Sequence, residues 1–192
     1  MRYLGGMTAL PVRLEREFLN QHQADWAEQW FADNVPWQQD VYNFSGRKVQ
    51  APRLTALYGA AYGYSGISKD PLPFNNALTR LLDLINRTCS ATFNSVLLNY
   101  YRNGNDSIGM HCDDEPELGE SPVVASLSLG QSRDFTFQAK ANFHEQRVLT
   151  LNHGDLLLMD SGCQEVWNHG ILKDKCLPQA CRRISLTFRT IV

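Results

Sequence analysis

The spacing of hydrophobic and polar positions changes near residue 93. Before it, "PLPFNNALTRLLDLINRT" sets Leu78, Leu81, Leu82 and Ile85 at i, i+3, i+4 and i+7, the one-sided stripe of an amphipathic helix. Asn75 or Asn76 stands where a side-chain oxygen can cap the first free N–H groups. Further upstream, between Glu15 and Phe31, Phe18, Trp26, Trp30 and Phe31 fall near helical spacing and predict a second helix with its aromatics turned to a core. Residues 1–93 therefore read as helical and loop-rich. From residue 94 the period is two. "NSVLLNYYR" puts Ser95, Leu97, Asn99 and Tyr101 on one face, and "PVVASLSLG", "RDFTFQ", "RVLTL", "GDLLLMD" and "RRISLTFRTIV" follow, separated by Gly, Pro, Asn or charged residues. Helices followed by many strands predict an α+β fold with an antiparallel sandwich or barrel at its core. The strand count fits a jelly roll.

Neither a repeat, a low-complexity tract nor a linker divides the chain, and 192 residues suit one domain able to bury its own core. Hydrophobic and charged contents of 43% and 20% exclude a disordered class. A net charge of −2 argues against a generally basic nucleic-acid coat but permits a local basic groove. The five cysteines form no CxxC pair, and Cys176 and Cys181 have no neighbours to complete a zinc set. The start "MRYLGGMTALPV" is short and weakly apolar for a secretory signal, the cysteine number is odd, and no run is long enough to cross a membrane, so a reduced cytoplasmic setting is expected. A monomer is the expected state.

Candidate chemistry centres on "IGMHCDDEPELG". Its His111 and Asp113 are two residues apart, and "QEVWNHGILK" supplies His169 after a predicted strand. Two imidazoles and one carboxylate on one face of a metal leave positions open for cosubstrate and oxygen, the arrangement of non-haem Fe(II) oxygenases. His22, His144 and His153 have no such context. In "RRISLTFR" a period of two sets Arg183, Ser185, Thr187 and Arg189 on one face against Ile184, Leu186 and Phe188 on the other. If that face is enclosed, its arginines demand an anion; if it is solvated, they need none.

The motifs "PR", "YGYSG", "FNSVLLNYYRNGNDSIGMHCDDE", "SLSLGQSRDFTF", "HGDLLLMDSGCQEVWNH" and "RRISLTFR" occur in order from about Pro52 to the C-terminus. In order and spacing the chain resembles the AlkB family of Fe(II)- and 2-oxoglutarate-dependent dioxygenases, nearer its duplex-acting members. The resemblance implies a double-stranded β-helix (jelly roll) over 94–192, with N-terminal helices on one side and a substrate-recognition part over 1–93. It implies His111, Asp113 and His169 as iron ligands and Asn99, Tyr101, Arg183, Ser185, Thr187 and Arg189 around 2-oxoglutarate. Arg183 with Tyr101 would take the distal carboxylate, and Arg189 would steady Asp113. Cys112 and Ser185 depart from residues commoner in the family, without removing a ligand.

The implied activity is oxidative demethylation of bases such as 1-methyladenine or 3-methylcytosine, in DNA rather than RNA. It consumes O2 and decarboxylates 2-oxoglutarate to succinate and carbon dioxide, with release of formaldehyde from the substrate. Such an enzyme takes its base out of the stack. Tyr62, Tyr64 and Ser65 match substrate-pocket positions, Asp114 and Glu115 are placed to meet an exocyclic amine, and Arg53 and Arg133 are expected at phosphates. Phe44, beside Ser45 in "VYNFSGRKV", is expected as an apolar wedge, with Arg47 and Lys48 on the backbone. Two alternatives stand beside this reading: a same-family oxygenase acting on RNA, protein or a small molecule, and a β-sandwich binding protein with a structural metal.

Overall fold

The computed structural model of the chain describes residues 8–44, 46–64, 67–68 and 70–192. In chain order the elements are β1 (Val12–Glu15), α1 (Gln21–Asn34), β2 (Val41–Phe44), β3 (Arg47–Gln50), β4 (Leu54–Gly59), β5 (Gly63–Tyr64), β6 (Ile67–Ser68) and α2 (Asn76–Cys89). There follow β7 (Ser95–Tyr101), β8 (Ile108–His111), β9 (Val124–Gly130), β10 (Arg133–Ala139), β11 (Gln146–Leu151), β12 (Leu156–Met159), α3 (Cys163–Val166), β13 (Trp167–Ile171) and β14 (Arg183–Arg189). A six-stranded sheet, β1-β12-β9-β14-β7-β4, faces a four-stranded one, β11-β10-β13-β8. Both are antiparallel, and the pair forms the expected jelly roll.

The two faces of the large sheet separate the work of the fold. Ile184, Leu186 and Phe188 of β14 join Val96, Leu98 and Leu127 in a core covered by α1 and α2. Burying each such side chain contributes about 1.5–3 kcal/mol. On the opposite face Tyr101, Val124 and Met159 pack against Phe135, Phe137 and Trp167 of the small sheet. The face bearing Arg183, Ser185, Thr187 and Arg189 is thus turned between the sheets, away from solvent.

The helices begin at their caps. Asn75 accepts the Leu78 N–H at 3.0 Å and opens α2, which buries Leu78, Leu82 and Ile85. For α1, Asn20 accepts from the Gln23 N–H while the Gln23 side chain accepts from the Asn20 N–H, a reciprocal capping box.

Two expectations change. Residues 1–93 are not mainly helical: among the described residues they supply six strands as well as two helices, and β1 and β4 form the outer edges of the large sheet. Segments as short as "VRLE" carry too little periodicity to be recognised, and their extended form comes from pairing with β12, far away in sequence. The aromatic stripe of α1 also shifts. Its buried face is Ala24, Ala27 and Phe31, while Trp26 is 55% exposed and stacks on Trp30 at 6.2 Å. Small residues let the helix approach the sheet closely, and the indoles lie beside that contact.

Candidate metal and cosubstrate site

Strand register builds the floor of the site, because residues directly opposite one another share a face. Across β7, β14 and β9 the rows are Tyr101 with Arg183, Asn99 with Ser185 and Ser128, and Leu97 with Thr187 and Ser126; Arg189 lies opposite Ser95. All are buried except half-buried Thr187. The small sheet closes the cavity above with Ile108, His111, Phe135, His169 and Ile171.

His111 on β8 lies opposite His169 on β13, their rings 4.5 Å apart. The register shifts between His169 and Ile171. The residue between them is Gly170, where a Cβ would meet the Gly109 and Ile108 carbonyl oxygens at 2.9 Å, so only glycine lets β8 and β13 come this close. Asp113 follows two residues after His111. The ligand atoms of His111, Asp113 and His169 all lie within 4.8 Å of one another.

Each ligand is oriented. His111 Nδ1 is 2.8 Å from the Gly109 carbonyl oxygen. In the tautomer that donates there, Nε2 keeps its lone pair. The His169 ring stacks on Phe135 at 5.3 Å. Burial, reinforced by His111, pulls the His169 imidazole down to about 3, and burial also lowers His111; both are neutral, the form that ligates metal. Burial would raise the Asp113 carboxyl, but the Arg189 guanidinium overrides it and holds it at about 2. Arg189 Nη2 donates to Asp113 Oδ1 at 2.7 Å, and Nη1 donates to the Tyr62 hydroxyl at 2.8 Å.

The residues present fit an iron ion and a dicarboxylate. Among the described residues, buried Asp113 Oδ2 and His169 Nδ1 have no hydrogen-bond partner. An ionised oxygen left so is costly, and a cation beside it removes the cost. Arg183 is 1% exposed and donates from Nη2 to Ser128 Oγ at 2.8 Å, yet its Nε and Nη1 have no partner. Burial brings Arg183 down to about 10, so it is a charged group in want of an anion at neutral pH. Its guanidinium lies 5.2 Å from the Tyr101 ring centre. Arg189 is thus at the Asp113 end of the cavity, and Arg183, which lies opposite Tyr101, is at the other.

Not every expected residue lies where the sequence suggested. Arg53 and Arg133 are each 3% exposed, so neither presents its charge to a phosphate outside. Arg53 donates to Asn99 Oδ1 and the Tyr42 hydroxyl, and Arg133 to the Asn103, Asp106 and Leu172 carbonyl oxygens. Tyr62, expected beside substrate, is buried behind Arg189. Asp114 is exposed and accepts from the Cys112 thiol at 3.1 Å, whereas half-buried Glu115 lines the cavity with its Oε2 unpartnered. The Tyr64 and Phe44 side chains, Ser45 and Ser65 lie outside the described residues. Conversely, Ser126, Ser128, Phe135 and Met159 belong to the cavity or its floor without having been anticipated. The alternation of "SLSL" already put both serines on one face, and only the choice of face was missing.

Comparison with known proteins agrees with this geometry. A family model described as the 2OG-Fe(II) oxygenase superfamily matches residues 7–189. Alpha-ketoglutarate-dependent dioxygenase alkB homolog 3 of Homo sapiens is 38% identical over 184 residues, covering 91% of this chain. The chain spans 64% of the length of that human relative. DNA oxidative demethylase ALKBH2 of Mus musculus is 36% identical over 175 residues, 81% of this chain and 72% of that protein. The solved structure of OsALKBH1 superposes with a TM-score of 0.64 at 18% identity, over 96% of this chain and all of that one, and shares its fold. Two histidines and an aspartate at the mouth of a jelly roll, matched over nearly the whole sequence, place this chain in the 2OG-Fe(II) oxygenase superfamily, among its AlkB-like members.

Proposed function

We propose that the protein oxidatively demethylates N-methylated nucleic-acid bases, of the 1-methyladenine and 3-methylcytosine type, with DNA favoured over RNA. The observation that carries this reading is the pairing, in one enclosed cavity, of the His111–Asp113–His169 set with the unsatisfied donors of Arg183. Bound iron, with 2-oxoglutarate and O2, would supply oxidation of a methyl carbon: 2-oxoglutarate loses its carboxyl carbon as carbon dioxide, one oxygen atom enters the succinate left behind, and the other enters the methyl group, which leaves the ring nitrogen as formaldehyde.

The chain's part is to hold and exclude. Arg183 neutralises the far carboxylate with charge-assisted hydrogen bonds, the strong kind, and Ser128 keeps its guanidinium oriented. Arg189 keeps Asp113 ionised and turned to the histidines. Phe135, Ile108 and Ile171 keep water from the reacting centre. Glu115 supports the substrate assignment, because its free oxygen is an acceptor at the cavity wall able to meet the exocyclic amine of a cationic methylated base. Relatives named as dioxygenase and DNA oxidative demethylase support the same class.

The test is the mass of 1-methyladenine and 3-methylcytosine oligonucleotides before and after incubation with Fe(II), 2-oxoglutarate and O2. DNA and RNA run in parallel, with a methylated peptide as control. The expected result is loss of one methylene mass from DNA with stoichiometric succinate. Turnover of RNA or peptide alone would replace the DNA assignment, and absence of succinate under every condition would end the oxygenase reading.

A further inference from the structure

We propose that Gln164 is a positioning residue for the metal centre, setting Asp113 through its main chain. This inference rests on the metal-site reading above and adds a residue to it. Gln164 lies in α3, the single turn leading into β13, and is 3% exposed. Its Oε1 accepts the Asp113 N–H at 3.0 Å, across 51 residues of sequence. Its Nε2 donates to Met159 Sδ at 3.5 Å. That donor is aimed at a thioether, and the N–H of Asp113 requires an oxygen, so the amide has one sensible orientation.

The consequence lies in how few freedoms Asp113 retains. Arg189 fixes Oδ1, Gln164 fixes the main-chain nitrogen, and Oδ2 is left facing His169 Nε2 at 3.9 Å. Asp113 therefore offers one oxygen to the metal, with the other occupied by an arginine. Gln164 also stands five residues before His169, so one short segment carries the third ligand and holds the second in place. The same turn grips the chain beyond Asp113: Ser121 bonds Glu165, and the Gly162 N–H donates to Ser121 Oγ. Asp113 follows β8 as irregular chain, with no ladder to position it. Partners of this kind around metal ligands typically alter affinity ten- to a hundredfold when removed.

The experiment measures Co(II) affinity of the full chain by equilibrium titration, with the visible cobalt spectrum and apo-protein melting temperature recorded for each variant. Gln164→Leu keeps the volume and removes the acceptor; Gln164→Glu keeps an acceptor oxygen in the same place. The expected result is a ten- to hundredfold weaker Co(II) affinity and an altered spectrum for Gln164→Leu, with Gln164→Glu within about threefold of the parent. A purely structural role would lower the apo melting temperature of Gln164→Leu and leave cobalt affinity of the folded fraction unchanged, overturning the proposal. So would equal losses in both variants, because the acceptor would then not be what matters. If Gln164→Leu does not fold, Gln164→Ala takes its place beside Gln164→Glu: at least a tenfold loss in Gln164→Ala with near-parental affinity in Gln164→Glu supports the proposal, and any other pattern overturns it. Failure of the parent itself to bind Co(II) would instead strike the metal-site reading.

Discussion

Arg183 shows how one side chain can state the chemistry of its partner. A guanidinium 1% exposed, with one nitrogen on Ser128 and its other two unpartnered among the described residues, is a costly arrangement in isolation and a favourable one beside a carboxylate. Arg183→Ala is therefore expected to raise the 2-oxoglutarate requirement by roughly ten- to a hundredfold or more, the equivalent of losing about 1.5–3 kcal/mol from a charged hydrogen bond. Steady-state succinate formation against cosubstrate concentration measures it; an unchanged requirement would place the carboxylate elsewhere. Cysteine offers a second contrast. Cys163 is fully buried, and burial pushes its thiol up to about 12, while Cys176 is exposed. Only a thiolate attacks, so iodoacetamide should modify Cys176 in the native protein and reach Cys163 only after denaturation. Peptide mass mapping checks this, and early labelling of Cys163 would contradict its burial.

Among the elements, β14 connects stability to function. It pairs with both β7 and β9, so neither of its edges is free, and its two faces serve different ends. Leu186 faces the helices and is fully buried. Leu186→Ala should cost about 2–5 kcal/mol through lost transfer energy and a residual cavity. In a chain of this size that is roughly 4–20 °C in melting temperature. Its neighbours Ser185 and Thr187 line the cavity on the other face, so the folded fraction of this variant should bind Co(II) as the parent does. A large loss of metal affinity in folded protein would show that the two faces are not independent. The small sheet depends instead on close approach: β8 and β13 meet at Gly170, and that contact brings His111 opposite His169.

The protein as a whole carries a formal charge of −2, so any grip on nucleic acid must come from local clusters rather than the overall field. Arg53 and Arg133 are buried, whereas Arg47 and Lys48 on β3 are exposed, and on the proposed function these two are the side chains to test for phosphate contact. The hairpin of β2 and β3 is tied to the site through Tyr42, whose hydroxyl accepts from Arg53, which in turn donates to Asn99. Arg47→Ala with Lys48→Ala is expected to weaken duplex binding and to flatten its salt dependence by about two units in the log–log slope, about 0.9 for each phosphate no longer neutralised. An identical slope in the double variant would take the hairpin off the nucleic acid.

Much of the site was legible as one-dimensional pattern. Alternation put Asn99 with Tyr101, and Arg183 with Ser185, Thr187 and Arg189, and the structure keeps each set on one face. The helix stripe from Leu78 to Ile85 and its Asn75 cap were legible for the same reason, because both depend on neighbours three or four residues away. The HxD pair alone is a weak signal; it gains meaning from His169 and from the ordered motifs around both. Tertiary structure decided the rest. A period of two divides a strand into faces without saying which face is covered, so only the packed small sheet made the Arg183 face the wall of a cavity. The sheet membership of β1 and β4, the burial of Arg53 and Arg133, and the bond from Gln164 to Asp113 each join segments far apart in sequence. No local preference specifies such contacts, because the energy that selects them exists only once the distant partner is in place.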